Sequence, residues 1–323
     1  VGTQGQAPVT PDKGLPMNTS RSVATLCAVI ACANLNAAEP GGQDEAGQRS
    51  TDQGWRIGLD AGGVHRFNAD LDDGGSFDRT TWILRFSATR AWTPSLRAGL
   101  SLSYEHDGYG FDTAGEEPWG NIRTLGISLP ITYRPGGNWS VFALPRLRYS
   151  AETDADLGDG REAGLLAGAS YRVNERLSIG PGLGVFSELG SGTDVFPILL
   201  VNWQMTDTLS LETGRGLAAS RGPGLTLRWT PAGDWSFGLG ARYEKRRFRL
   251  DDEDAAPGGI GVDKAVPVAL TATWKPAPRV ELNLLAGAEL GGNLRVETDS
   301  GRRHVSEDYD TAAFAGAVLS MKF

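Results

Sequence analysis

The stretch Trp274-Lys-Pro-Ala-Pro-Arg-Val280-Glu-Leu-Asn-Leu-Leu-Ala-Gly-Ala-Glu-Leu290-Gly-Gly-Asn-Leu-Arg-Val296 decides the fold. Val280, Leu282, Leu284, Ala286, Ala288, Leu290, Leu294 and Val296 fall on one face of an extended chain. Glu281, Asn283, Gly287, Glu289, Asn293 and Arg295 fall on the other, with Leu285 the exception. Only a period of two separates the residues this way, and the run is longer than an average soluble strand. Its opening is a recurring phrase: an aromatic residue, a tight polar turn, then a second large apolar residue. The phrase returns in Trp92-Thr-Pro-Ser-Leu96, Tyr133-Arg-Pro-Gly-Gly-Asn-Trp139, Tyr171-Arg-Val-Asn-Glu-Arg-Leu177, Trp203-Gln-Met-Thr-Asp-Thr-Leu209 and Trp229-Thr-Pro-Ala-Gly-Asp-Trp235. Short turns flanked by rings, each between alternating stretches, read as one rim of a membrane-spanning β-barrel.

The 323 residues suit one large β domain. A formal charge of −8 gives nucleic-acid binding no electrostatic support. Mean hydropathy is −0.25. A barrel keeps such an average because only alternate residues face lipid. The one long apolar run is Val23-Ala-Thr-Leu-Cys-Ala-Val-Ile-Ala31, with Arg21 before it and Ala37 and Ala38 after it. This is the layout of a secretory signal over residues 17–38, starting at Met17. Residues 1–16 then read as an upstream extension and residues 39–53 as a disordered periplasmic lead-in. Cleavage after Ala38 removes both Cys27 and Cys32, so disulfide and thiolate-metal chemistry are not expected. Val29-Ile-Ala-Cys32 has the form of a bacterial lipobox, which leaves lipidation at Cys32 open.

Residues 54–323 are expected to form an all-β, antiparallel, up-and-down transmembrane barrel of about 14 strands, starting near Trp55, Thr81, Leu96, Ile122, Trp139, Gly164, Leu177, Val195, Leu209, Gly224, Trp235, Val266, Val280 and Tyr309. Short turns alternate with longer connections, among them Asp70–Asp78, Glu105–Gly120, Glu152–Glu162, Asp251–Asp263 and Glu297–Asp308. An aromatic belt is expected at Trp55, Trp92, Tyr133, Trp139, Tyr171, Trp203, Trp229, Trp235, Trp274 and Phe323. A second, looser girdle at the other end would draw on Phe77, Tyr104, Tyr149, Tyr243 and Tyr309. Pro130, Pro145, Pro181, Pro197 and Pro267 fall inside strands, where each forfeits a ladder hydrogen bond; local bulges are the expected accommodation. Loss of several of these segments would leave 12 strands.

The last strand ends Ala315-Gly-Ala-Val-Leu-Ser-Met-Lys-Phe323. It resembles the C-terminal insertion signal of Gram-negative outer-membrane proteins. With Glu212-Thr-Gly-Arg-Gly-Leu217 and Gly238-Leu-Gly-Ala-Arg-Tyr243, the whole is similar to an uncharacterised family of bacterial outer-membrane barrels. The resemblance implies a bacterial outer-membrane location and contact with outer-membrane lipid and lipopolysaccharide. It also implies recognition of the strand ending in Phe323 by the barrel-assembly machinery. It carries no activity.

Alternation predicts a pore lining of Arg85, Arg97, Arg134, Arg146, Arg172, Arg228, Arg242, Glu105, Glu188, Glu244 and Glu289. Arginines near the short turns, with Lys275 and Lys322, would make one mouth basic and favour anions. The competing reading is that they pair with carboxylates on neighbouring strands and brace the wall. Ser178, Gly180, Gly182 and Gly184 are expected to leave space in the lumen. The long loops are acidic, and Asp154-Ala-Asp156-Leu-Gly-Asp159 lacks the closing glutamate of a calcium loop. His304-Val-Ser306 shares the His-x-Ser spacing of outer-membrane phospholipases without the rest of that motif. The sequence therefore predicts a passive porin-like channel for small polar or anionic solutes, without metal, cofactor or catalytic residues. The alternatives are a non-conducting structural or adhesive barrel acting through its acidic loops and, third, an outer-membrane hydrolase. Oligomeric state is left open.

Overall fold

The structure, a computed structural model, describes residues 54–115, 117–190, 192–213, 224–252 and 256–323. The readings for residues 1–16, 17–38 and 39–53, with Cys27 and Cys32, lie outside the described residues.

Fourteen antiparallel strands form one closed wall. They are β1 Trp55–Asp70, β2 Ser76–Ala91, β3 Leu96–Asp112, β4 in two segments Ile122–Ser128 and Ile131–Gly136, β5 Trp139–Glu152, β6 Arg161–Asn174 and β7 Leu177–Ser187. Then follow β8 Thr193–Gln204, β9 Leu209–Thr213, β10 Gly224–Trp229, β11 in two segments Trp235–Arg242 and Glu244–Arg249, β12 Ile260–Ala277, β13 Val280–Glu297, and β14 in two segments Arg303–Tyr309 and Ala312–Lys322. Each strand pairs with its neighbours in sequence, and β14 closes on β1 from Gly58↔Lys322 to Arg66↔Phe314. Closure removes the free edge that an open sheet of this size would expose. The twelve-strand alternative is excluded.

The short turns are built from local side-chain acceptors. Thr93 Oγ1 accepts from the Leu96 amide at 3.0 Å, and Thr206 Oγ1 accepts from the Leu209 amide at 3.0 Å. In the β4–β5 turn, Gly136 and Gly137 take positive φ values of 114° and 61°, which a side chain would oppose. Leucines such as Leu84, Leu102, Leu183, Leu239, Leu270 and Leu284 cover the outer face and are exposed. An apolar belt of this extent is stable only against lipid or a partner.

The prolines are not accommodated as expected. Ser128↔Arg146 and Ile131↔Ala143 keep one register across Pro130 and Pro145, so no residue is inserted there. Pro181 and Pro197 pair in register with Leu199 and Leu183. Only Pro267 has a bulge nearby. There Lys264 pairs with Asn293 and Val266 with Leu290, so Gly291 and Gly292 together oppose Ala265. Gly291 takes φ 59°, the conformation that lets the extra residue fit. At this level β1 also carries an extra residue, between the pairs Arg66↔Arg79 and Ala69↔Phe77. In β14, Asp310 and Thr311 separate the segment ending at Tyr309 from the one starting at Ala312.

These shifts change which residues face inward. Leu294 and Val296 leave the lipid-facing row that strict alternation assigns them and become buried with Ala69, Leu71 and Tyr309 against Phe77. β11 departs from the wall differently. Past Tyr243 its upper segment stays paired with β12 but reaches across to β5, where Arg249 and Ala151 form a parallel bridge. The lumen is therefore pinched toward the long-loop rim.

Candidate functional site

The interior divides into two halves. Toward the long-loop rim it is packed solid with rings: Phe77, Tyr109, Phe111, Trp119, Phe248 and Tyr309. Trp119, from the β3–β4 connection, is 1 % exposed and meets Phe248 at 5.1 Å and Tyr109 at 5.7 Å between ring centroids. Phe77 stacks on Phe111 at 5.3 Å and meets Tyr309 edge-on at 5.0 Å. Such contacts add to the area each ring buries.

Beneath the rings lies a buried ion-pair network. Arg79 donates to Asp263 and, at 2.6 Å, to Glu289. The hydroxyls of Tyr109 and Tyr309 donate to Asp263 at 2.9 and 3.1 Å. Arg66 lies over the Phe77 ring at 3.6 Å and donates to the Phe77 carbonyl at 3.1 Å. A second group centres on Arg246, which reaches Asp107 at 2.5 Å, Glu244 at 2.7 Å and Glu105 at 3.7 Å. Shared partners of this kind offset the desolvation cost that isolated buried charges would carry.

Polar contacts hold the inward segment of β11 in place. Arg148 donates to the Arg247 carbonyl at 2.6 Å, the Asp251 amide donates to Glu152 at 3.0 Å, and Arg249 pairs with Asp299 at 2.5 Å. Behind the segment, Lys245 donates to Glu188 at 2.5 Å, and Arg247 holds both Glu297 at 2.8 Å and the Leu189 carbonyl at 3.0 Å. Partial burial works against ionisation of Glu188. The Lys245 hydrogen bond and the Lys245 and Arg247 charges outweigh it and hold this loop carboxyl below its ordinary value. A cavity of about 70 Å³ remains between this segment and strands β2 to β5.

Toward the short-turn rim the inward positions are mostly Gly, Ser, Thr and Ala, such as Gly58, Ser87, Ser101, Ser128, Ser236 and Thr271. Strand alternation places Arg97, Arg134, Arg172 and Arg228 among them, and Arg97 lies within electrostatic range of Arg56 and Arg134. Arg228 approaches Glu212 at 3.8 Å. Higher up, Arg85 approaches Asp60 at 3.9 Å, and Arg242 pairs with Glu244 at 2.6 Å. Arg85, Glu105, Arg146 and Glu244 line the small cavity. Two expected lining residues sit elsewhere. Glu188 lies past the end of β7, in the loop against Lys245, and Glu289 is sealed in the network with Arg79. Some of the arginines brace carboxylates, while Arg97 makes no ion pair among the described residues.

The expected glycine space is also occupied. Gly164 lies under the ring of Phe186 and Gly184 under that of Phe196, each ring filling the place of the missing side chain. Phe186 and Phe196 stack at 5.8 Å. With Phe142, Leu144, Leu166, Ile198 and Leu200 they form an inward apolar patch on β5 to β8 that the Gly-rich sequence concealed.

All ten expected belt aromatics are exposed and lie at the short-turn rim. Several touch across strands: Trp55 and Trp92 at 6.1 Å, Trp139 and Tyr171 at 5.1 Å, Trp235 and Trp274 at 5.9 Å. Of the second girdle, Tyr104 and Tyr243 are exposed, whereas Phe77 and Tyr309 are buried inside. Ser306 Oγ accepts from Asn293 Nδ2 at 3.0 Å, and among the described residues it makes no hydrogen bond to His304. No group of three His, Cys, Asp or Glu among the described residues could hold a metal ion.

The architecture is that of a closed, fourteen-stranded antiparallel β-barrel. The chain is similar to several solved barrels. The COG4313 outer membrane channel from Pseudomonas putida F1 is 12% identical, with a TM-score of 0.49 over 86% of this chain and 100% of that one. A Pseudomonas aeruginosa FadL homologue is 12% identical, with a TM-score of 0.40 over 83% and 89%. The KdgM porin, solved with disordered oligogalacturonate, is 10% identical, with a TM-score of 0.35 over 82% and 99%. Likeness at this level carries nothing about what this barrel passes. Comparison with protein-family models finds no match, and comparison with curated proteins finds none.

Proposed function

We propose that the chain is a bacterial outer-membrane channel for small polar or anionic solutes, held shut in this conformation near its extracellular side. The short-turn rim with its aromatic belt is assigned to the periplasmic boundary, so both barrel ends of the chain lie there. Outer-membrane lipid and lipopolysaccharide contact the outer face, and the assembly machinery reads the strand ending in Phe323.

The observation that carries the reading is the inward basic set Arg85, Arg97, Arg134, Arg146, Arg172 and Arg228, standing among small side chains. Cations in a low-dielectric wall raise the local concentration of anions. In planar bilayers under a potassium chloride gradient, the account expects a reversal potential of the anion-selective sign. Replacing Arg97 and Arg134 by Gln should move it toward zero. A cation-selective pore, or none under any condition, would reject the reading. The packed upper lumen favours one second reading, a non-conducting barrel that acts through its acidic loops. Silent bilayers together with altered surface binding after deletion of 105–120 would support that instead.

A further inference from the structure

We propose that the short-turn mouth of the lumen holds a binding site for a dianionic phosphoryl group, built by Arg56, Arg97 and Arg134 with the Thr132 hydroxyl. The group is free phosphate or the terminal phosphate of a monoester. The site deepens the channel reading by naming the chemistry of the anion, and it rests on that reading for the solute's route.

Three observations converge. First, register brings the three arginines together. Arg56 shares the inward face of β1 with Gly58 and lies opposite Thr89; Thr89 lies opposite Gly99 on β3, next but one to Arg97. Arg97 lies opposite Ala91 on β2 and Thr132 on β4, and Arg134 is the next inward residue after Thr132. Diagonal neighbours on one face are about 7–8 Å apart, and two strand spacings amount to about 10 Å, both within reach of long side chains. Ala91 and Gly99 put little bulk between them. Arg97 accordingly lies within electrostatic range of both Arg56 and Arg134.

Second, the trio lacks acidic partners. Among the described residues Arg56, Arg97 and Arg134 make no ion pair, and both charges that act on Arg97 are positive. The packed half is different: there Arg79, Arg246 and Arg247 hold Glu289, Glu244 and Glu297 at 2.6, 2.7 and 2.8 Å. Asp60, further up β1, approaches Arg85 and stands about 13 Å along the strand from Arg56. Lys322, opposite Gly58 on β14, adds another cation to the same face. Like charges gathered without a counter-charge repel, and an anion seated among them removes the repulsion.

Third, polar atoms at this place are unsatisfied. Arg97 Nη1 and Thr132 Oγ1, on a directly opposed pair, are shielded from water and have no hydrogen-bond partner among the described residues. Shielded donors without an acceptor are costly, and a bound ion or water is the usual remedy. An anionic oxygen can accept from both. Geometry then selects the anion. A carboxylate presents two oxygens in one plane. A phosphoryl group presents three that diverge, which suits donors arriving from β1, β3 and β4. Guanidinium groups engage such oxygens through a planar fork. A second negative charge also matches the uncompensated cations better than a single one.

The test is calorimetric titration of the full barrel in maltoside micelles, which carry no phosphate, at fixed ionic strength. At about pH 8 a phosphate monoester is dianionic. The probes are orthophosphate, glycerol 3-phosphate, dimethyl phosphate and acetate. A dianion should bind at least about tenfold more tightly than dimethyl phosphate or acetate, and whichever of the two dianions binds more tightly names the source. Arg97→Gln should weaken that dianion about tenfold, with Arg97→Lys in between. Thr132→Val should weaken it about threefold without lowering the melting temperature, since it removes an unpartnered hydroxyl. Arg176→Gln, which removes a charge at the same rim outside the trio, should change affinity less than about twofold. An unchanged melting temperature reports that each variant is folded. Equal binding of acetate, equal binding of dimethyl phosphate, or full affinity in folded Arg97→Gln overturns the proposal. Anion-selective conductance without dianion binding would remove this site and leave the channel reading standing. Dianion binding by a barrel that never conducts would do the reverse.

Discussion

The two halves of the interior are lined by the same fourteen strands under the same alternation, yet one is packed and the other small-residue and hydrophilic. Toward the long-loop rim the wall carries bulges in β1 and β13 and interruptions in β11 and β14, and large or charged side chains turn in. Toward the short-turn rim the register shifts, at Tyr133/Gly136, Arg172/Asn174 and Trp274/Ala277, sit at the turns themselves, the pairing of β1 and of β13 with β14 runs without a shift, and inward positions are small. The difference teaches that bulges within the wall, as distinct from shifts at the turns, change which side chains fill the interior. One extra residue brings side chains inward that strict alternation assigns to lipid.

The largest expected effect breaks the comparison at the packed half. Asp263→Ala removes the acceptor shared by Arg79, Tyr109 and Tyr309 and leaves the buried arginine with Glu289 alone. It should cost about 3–5 kcal/mol in urea unfolding, the range for breaking a buried pair. Arg176→Ala at the short-turn rim, whose pair with Asp207 at 2.7 Å is solvent-exposed, should cost under about 1 kcal/mol. Similar losses in the two would end the distinction. Next, Gly164→Val should collide with the Phe186 ring and cost about 1–3 kcal/mol, as overpacking does; a neutral result would mean that the ring is free to swing away. A smaller change is expected at the rim, where Trp235→Leu forfeits the stack on Trp274 and about 0.5–1.5 kcal/mol beyond lost area.

The smallest effect is a pH dependence. The Glu188 carboxyl is held below its ordinary value, so it binds its proton less readily folded than unfolded. Its contribution is present above the unfolded carboxylate value of about 4.3 and lost as pH falls through the lower folded value. Glu188→Gln should lower stability modestly at neutral pH and leave the acid end little changed, which flattens the acid side of the profile. A profile unchanged by the substitution would detach Glu188 from the stability of the inward segment.

Much of the wall was legible because period-two alternation and ring-flanked turns are local signals. Most expected strand starts, such as Trp55, Leu96, Ile122, Trp139, Leu177 and Val280, coincide with the observed ones. The packed half was not legible for a different reason. Arg79 and Asp263 are 184 residues apart, and only barrel closure brings them together. The Gly291-Gly292 pair was the available sign of a bulge, since consecutive glycines inside a strand mark such sites. The alternation reading instead carried Leu294 and Val296 straight through it. The apolar patch was hidden because Gly182 and Gly184 read as empty space, while the neighbouring strand supplies Phe196 and Ile198 to fill it.

The central claim is that the inward segment of β11 closes a conducting barrel. Arg249 and Ala151 are bridge partners, close enough for a disulfide after A151C and R249C substitution. The decisive measurement is single-channel recording of this double variant in planar bilayers before and after reduction. The account predicts silence when oxidised and anion-preferring openings when reduced. Equal conductance in both states would show that solutes bypass the segment, and silence in both would show that the barrel does not conduct.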